Sequence, residues 1–127
     1  THNMYLSKSE IQHILGIKEL KITPIKPEMF KASSYTFTNS TSLEIQPKQF
    51  IIIDSAEHIE FSKNIGGVLS TRGSIAKLGL DCLMTDTIIE PGSEGKLTFC
   101  TVNHSDKIVT LEAGTPIVKC LFYRIDL

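Results

Sequence analysis

From Ser33 to the C-terminus the sequence is a train of short apolar–polar alternations, each cut off by a turn signal. That rhythm constrains the fold more than any other feature. Side chains on a strand alternate faces, so such a run has one face for a core and one for solvent. Tyr35 and Phe37 alternate with threonines, and Leu43 and Ile45 alternate ahead of Pro47. Phe50-Ile51-Ile52-Ile53 is a β-branched run expected to form a buried strand. Ile59 with Phe61, Leu97 with Phe99, Ile108 to Leu111 and Ile117 to Ile125 continue the series. Gly66-Gly67, Pro91-Gly92, Asn103-His104-Ser105-Asp106 and Ala113-Gly114-Thr115-Pro116 read as the turns between them. Many short strands at this spacing imply a mainly β domain, either a sandwich or a small distorted β-barrel of jelly-roll type.

Two segments depart from the strand rhythm. Ser7 and Glu10 have capping-box spacing, Ile11, Ile14 and Leu15 share a helical face, and Gly16 is a plausible stop. Ser74-Ile75-Ala76-Lys77-Leu78 reads as one or two further helical turns, with Arg72 beside its N-terminal end as a candidate anion contact. Leu20 to Thr23 alternates and is halted by Pro24, and Pro24 and Pro27 make an extended connection. Met4 reads as the native start, with Thr1 to Asn3 a cloning remnant, so a single domain over 4–127 is expected.

A chain of 127 residues with 41% hydrophobic and 21% charged residues forms one core without disulfides. Its net charge of -1 gives no general attraction to nucleic acid or to an anionic membrane. No apolar run approaches the roughly 20 residues of a membrane span. Cys82, Cys100 and Cys120 are odd in number and far apart, which favours a reducing cytoplasm over a disulfide framework. With His104 they lack the paired spacing of a zinc site, so no protein-bound metal is expected.

Four ordered blocks resemble one family. Ser70-Thr71-Arg72-Gly73-Ser74-Ile75-Ala76-Lys77-Leu78-Gly79-Leu80 resembles Gly-Arg-Ser-Ser-Leu-Ala-Arg-Leu-Gly-Leu, the central motif of dCTP deaminases. Thr85 to Gly95 resembles their Thr-Ala-Gly-x-Ile-Asp-Pro-Gly-Phe-x-Gly. Lys96 to Asn103 resembles the next strand, Thr-Leu-Glu-Leu-x-Asn, and Gly114 to Phe122 the closing Gly-Met-x-Ile-x-Gln-Leu-x-Phe. Met4 to Ser7 and Ser33-Ser34-Tyr35 fit the start of the same proteins. The resemblance is to the dCTP deaminase/dUTPase family, in its deaminase branch. It implies a dUTPase-like fold, a homotrimer around an axis, and sites for a pyrimidine deoxynucleoside triphosphate between neighbours. It implies no protein cofactor, with Mg²⁺ entering only as a nucleotide complex.

The residues that carry the family's chemistry are altered. Deamination at C4 needs a water and a proton shuttle, which the family supplies with a glutamate and no metal. Cys100 stands at that position. An ordinary thiol titrates near about 8.5 and a glutamate near about 4.3, so a thiol is a poor base at neutral pH. A free strand cysteine is also most often a small buried apolar group. Gly73 replaces the serine that organises the water, Lys77 an arginine, and Thr36 the aspartate of the first motif. Lysine keeps the charge but loses the bidentate fork. The dUTPase chemistry lacks the same aspartate, and Glu90 is one methylene longer than the family's sugar-facing acid.

Arg72 and Ser74 keep the phosphate-facing pattern, and Lys119 stands for the closing glutamine. Asp86 falls where the family has a small residue beneath the base and is a candidate obstruction. The catalytic candidates are thus Cys100, at a degenerate position, and Glu90. The nucleotide-binding candidates are Arg72, Gly73, Ser74, Lys77, Asp86, Glu90 and Lys119. Arg72 could equally hold a neighbour's carboxylate, and Lys77 and Lys119 could simply be solvated. The favoured reading is a diverged deaminase-like nucleotide binder with lost or altered catalysis. A rearranged active enzyme and a trimeric interaction protein are the alternatives.

Overall fold

Ser7 starts the first helix with both halves of a capping box: its side chain accepts from the Glu10 N–H, and the Glu10 carboxylate accepts from the Ser7 N–H at 2.9 Å. Those contacts hold the exposed Glu10 carboxyl below its ordinary range. Helix α1 (Lys8–Gly16) buries Ile11 and Ile14. The computed structural model describes residues 4–126; the proposed remnant, Thr1 to Asn3, lies outside the described residues.

Strand β1 (Leu20–Thr23) follows, then a single 3-10 turn (Pro27–Met29) where an extended connection was expected. The strands β2 (Tyr35–Thr38), β3 (Leu43–Ile45), β4 (Phe50–Phe61), β5 (Ile65–Thr71), a one-turn helix α2 (Gly73–Ala76), β6 (Leu80–Asp81), β7 (Ile88–Ile89), β8 (Glu94–Asn103), β9 (Val109–Leu111) and β10 (Pro116–Arg124) complete the chain. One sheet has the order β1-β4-β8-β6, a second β2-β10-β5-β7, and β3 pairs with β9 alone. The expected β fold is present, but the ladders remain separate sheets and do not close into a barrel. The edge strands are too short to complete a circuit: β6 and β7 have two residues each. Tyr35, Phe37, Phe99 and Phe122 fill the core between the sheets.

Two expectations need correction. Gly66-Gly67 is not a turn but lies inside β5. A Cβ on Gly67 would come within 2.7 Å of Cys120 Sγ, and one on Gly66 within 2.3 Å of the Tyr123 ring, so close approach of β10 is what demands glycine. The Phe50–Ile53 run is buried on one face only: Ile53 is in the core, while Phe50 and Ile52 are 53% and 55% exposed. The β4 alternation also breaks after Asp54, where Ser55 to Glu57 bulge against β8. Ser55 Oγ accepts the Leu97 N–H at 2.9 Å and donates to the Glu57 carbonyl. The bulge turns Glu57 inward, where its buried carboxylate accepts from the Thr38 N–H (3.0 Å) and hydroxyl (2.7 Å). Both oxygens thus have a partner, as a buried carboxylate requires.

Candidate functional site

A cavity of about 260 Å³ opens beside β7 and β8. Ile59, Leu69, Ile89 and Leu97 give it apolar walls, and Asp86, Glu90, Ser93 and Glu94 bring polar groups to it. Its loops are tied down by short-range bonds. Asp81 Oδ1 accepts from the Leu83 and Met84 N–H groups (3.0 and 2.8 Å), and Leu69 N–H donates to the Thr87 carbonyl at 2.7 Å. At the other rim the Pro91-Gly92 turn is closed by Ser93 N–H to the Glu90 carbonyl, and Gly92 N–H reaches the Ser62 carbonyl. Asp86 and Glu90 therefore face one cavity from two fixed turns. Asp86 is exposed and borders the space, which remains open beside it.

Arg72 is elsewhere. It is the residue before α2, and its Nη1 donates to Ser74 Oγ at 2.7 Å. It borders a smaller cavity of about 120 Å³ with Glu28, Met29, Lys31, Thr36 and Pro116. Lys31 was not singled out in the sequence; its signal was its place just before the Ser33-Ser34-Tyr35 block. Lys119 is exposed on β10, opposite Thr36 on one side and Ser70 on the other. Lys77 is exposed after α2. Nothing lies within 4 Å of where a Cβ on Gly73 would sit, so the missing serine would meet no obstacle there.

Cys100 borders neither cavity. On β8 the residues Glu94, Lys96, Thr98, Cys100 and Val102 share the outward-facing parity, while Phe99 and Thr101 are buried. Cys100 pairs with Ile52 and is half-buried; Thr98, one step along the same face, borders the larger cavity. The other thiols lie inside. Burial pushes Cys82 up to about 11 and raises Cys120 further. Among the described residues no three His, Cys, Asp or Glu side chains converge as a metal-ligand set. No helix there is long and apolar enough to cross a membrane.

In one chain, then, those sequence-derived residues that line a cavity fall into two groups. Asp86 and Glu90 flank the β7–β8 cavity, Arg72 and Thr36 the smaller one, and the two share no lining residue.

The sequence matches the profile of dCTP deaminase-like proteins over residues 18–125. It is 19% identical to a dCTP deaminase of Pyrobaculum calidifontis over 97% of this chain and 86% of that protein. It is 32% identical to a dUMP-forming dCTP deaminase of Methanospirillum hungatei over 67% of this chain, though only 46% of that protein. The fold superposes on a 2'-deoxycytidine 5'-triphosphate deaminase from Agrobacterium tumefaciens with a TM-score of 0.78 and 11% identity, covering 94% of this chain and 48% of that one. It superposes on the native EIAV dUTPase with a TM-score of 0.69 and 20% identity, covering 83% and 86%. With a matched region that takes in the Arg72 motif, the Glu90 turn and Cys100 together, this chain belongs to the dCTP deaminase-like family.

Proposed function

We propose that this chain binds a pyrimidine deoxynucleoside triphosphate between copies of itself and does not deaminate it at an enzymatic rate. The separation of Arg72 from Asp86 and Glu90 into two cavities carries the reading. A nucleotide needs a place for its ring and sugar and a cation for its phosphates. One chain offers these at separate places, and a homotrimer brings the Arg72 side of one copy to the β7–β8 cavity of the next. The apolar walls take the ring, Glu90 accepts from the sugar hydroxyl, and Arg72 and Lys119 meet the phosphates. Mg²⁺ enters only on the triphosphate.

The loss of catalysis follows from the donor set. Cys100 lacks the second oxygen with which a carboxylate takes a proton from water and holds the ring at once. Gly73 removes the water's other partner. Thermal melting with dCTP, dUTP and their ribonucleotide counterparts tests the binding. A ligand at a hundred times its Kd stabilises by about 2.7 kcal/mol, so a pyrimidine deoxynucleotide should raise Tm visibly. Absence of any shift at millimolar nucleotide overturns it and favours a trimeric interaction protein; rapid ammonia release from dCTP would make it a rearranged enzyme.

A further inference from the structure

Glu57 is a fully buried carboxylate that enters none of the ion pairs among the described residues. Both its oxygens rest on one residue, Thr38: Oε1 accepts the main-chain N–H (3.0 Å) and Oε2 the hydroxyl (2.7 Å). Burying a carboxylate without a cation is costly. What this one holds is the margin of the second sheet. Strand β2 lies at the end of that sheet, paired only with β10. Asn39 turns its N–H to the Thr115 carbonyl (3.3 Å) and its carbonyl to the Gly114 N–H (3.0 Å). Main-chain groups alternate along an antiparallel strand, so Thr38 turns its N–H away from β10, past the margin. Glu57 meets it there from β4, the bulged strand of the other sheet.

Thr38 is also the register partner of Pro116 on β10. Pro116 brings no N–H to that pair, which leaves Thr38 to be fixed from the other side, by Glu57. Between Pro116 and Val118 the register shifts, so Ile117 sits in a bulge, and its carbonyl accepts the Arg72 N–H at 2.8 Å. Pro116, Thr36 and Arg72 border the same small cavity. A continuous line of contacts thus runs from Glu57 through Thr38 and the β10 bulge to the main chain of Arg72.

We infer that Glu57 is a positioning residue for the phosphate contact. By clamping Thr38 it fixes the β10 bulge that sets the main chain of Arg72, and so the direction in which the guanidinium meets a triphosphate. The inference rests on the nucleotide reading above. Glu57 borders neither cavity and touches no part of the ligand in that reading. Its loss weakens what Arg72 holds and spares what the ring cavity holds.

The test compares dCTP with deoxycytidine, which carries the ring and sugar but no phosphate, by NMR titration. Amide hydrogen exchange reads Thr38 and Arg72 in the same samples. In Glu57→Leu the Kd for dCTP should rise roughly tenfold while that for deoxycytidine stays, and both amides should exchange faster. Glu57→Gln keeps an oxygen for the Thr38 N–H and should restore both readouts most of the way. Should Glu57→Leu fail to fold, Thr38→Val removes only the hydroxyl half of the clamp and carries the same expectations at smaller size. Equal weakening of dCTP and deoxycytidine overturns the inference, as does an Arg72 amide that exchanges as in wild type while Thr38 opens. Wild-type protein that binds neither ligand defeats the nucleotide reading, and the Arg72 exchange then decides whether Glu57 sets that residue.

Discussion

Cys100 stands directly across the β4–β8 ladder from Ile52, whose side chain is 55% exposed in a single chain. On the proposed reading this half-buried thiol takes the place of the proton shuttle, and it opens onto an apolar sheet face. General acid–base help is typically worth 10²–10⁴-fold. Deamination of dCTP is therefore expected at or near background, read as ammonia release, with Cys100→Ala unchanged. Cys100→Glu alone should recover little, because Gly73 and Thr36 remain. Adding Gly73→Ser should recover more, since the structure leaves room for it. Robust wild-type turnover that vanishes in Cys100→Ala would make the thiol catalytic.

Arg72 supplies the phosphate prediction. Its only side-chain partner in the described structure is Ser74. Hydrogen bonds to charged groups are worth about 1.5–3 kcal/mol. Arg72→Ala should weaken nucleotide binding by roughly ten- to hundredfold by calorimetry. Unchanged affinity in the folded variant would assign the arginine to structure alone.

Assembly has its own prediction. Phe50 and Ile52 project from the sheet beside Val102, an apolar face that a soluble monomer would be expected to cover. Sedimentation should give a homotrimer at micromolar concentration. Ile52→Lys should shift it toward monomer while leaving the circular-dichroism spectrum intact. A wild-type monomer contradicts the proposed site between copies as well.

The fourth prediction concerns the β5–β10 contact. Gly67→Ala places a methyl against the buried Cys120 sulfur at 2.7 Å. Overpacking of this kind costs about 1–3 kcal/mol. Chemical denaturation should show that loss, and Cys120→Ala in the same chain should relieve part of it. Additive losses would mean the strands separate without strain.

The same contact shows where sequence reading reached its limit. Ser7 and Glu10 declared α1 because a cap is local, and Tyr35 and Phe37 declared β2 because alternation is local. Gly66 and Gly67 were misread as a turn because the reason for them is Tyr123 and Cys120, more than fifty positions away. Glu57 went unnoticed because its inward turn depends on a bulge that three residues of β4 make against Leu97. The motif residues could be named as candidates one by one. Their division between two cavities could not, since it is a property of the folded chain and not of any single motif.

The three free thiols occupy graded environments: Cys100 half-buried, Cys82 buried, Cys120 buried against β5. The molecule therefore carries its own alkylation clock. Under native conditions a neutral-pH iodoacetamide reaction should modify one sulfur per chain, and Cys82 and Cys120 should wait for the sheets to part. The rate of the first event reports whether another copy covers β8, and the rate of the later ones reports how often the domain opens.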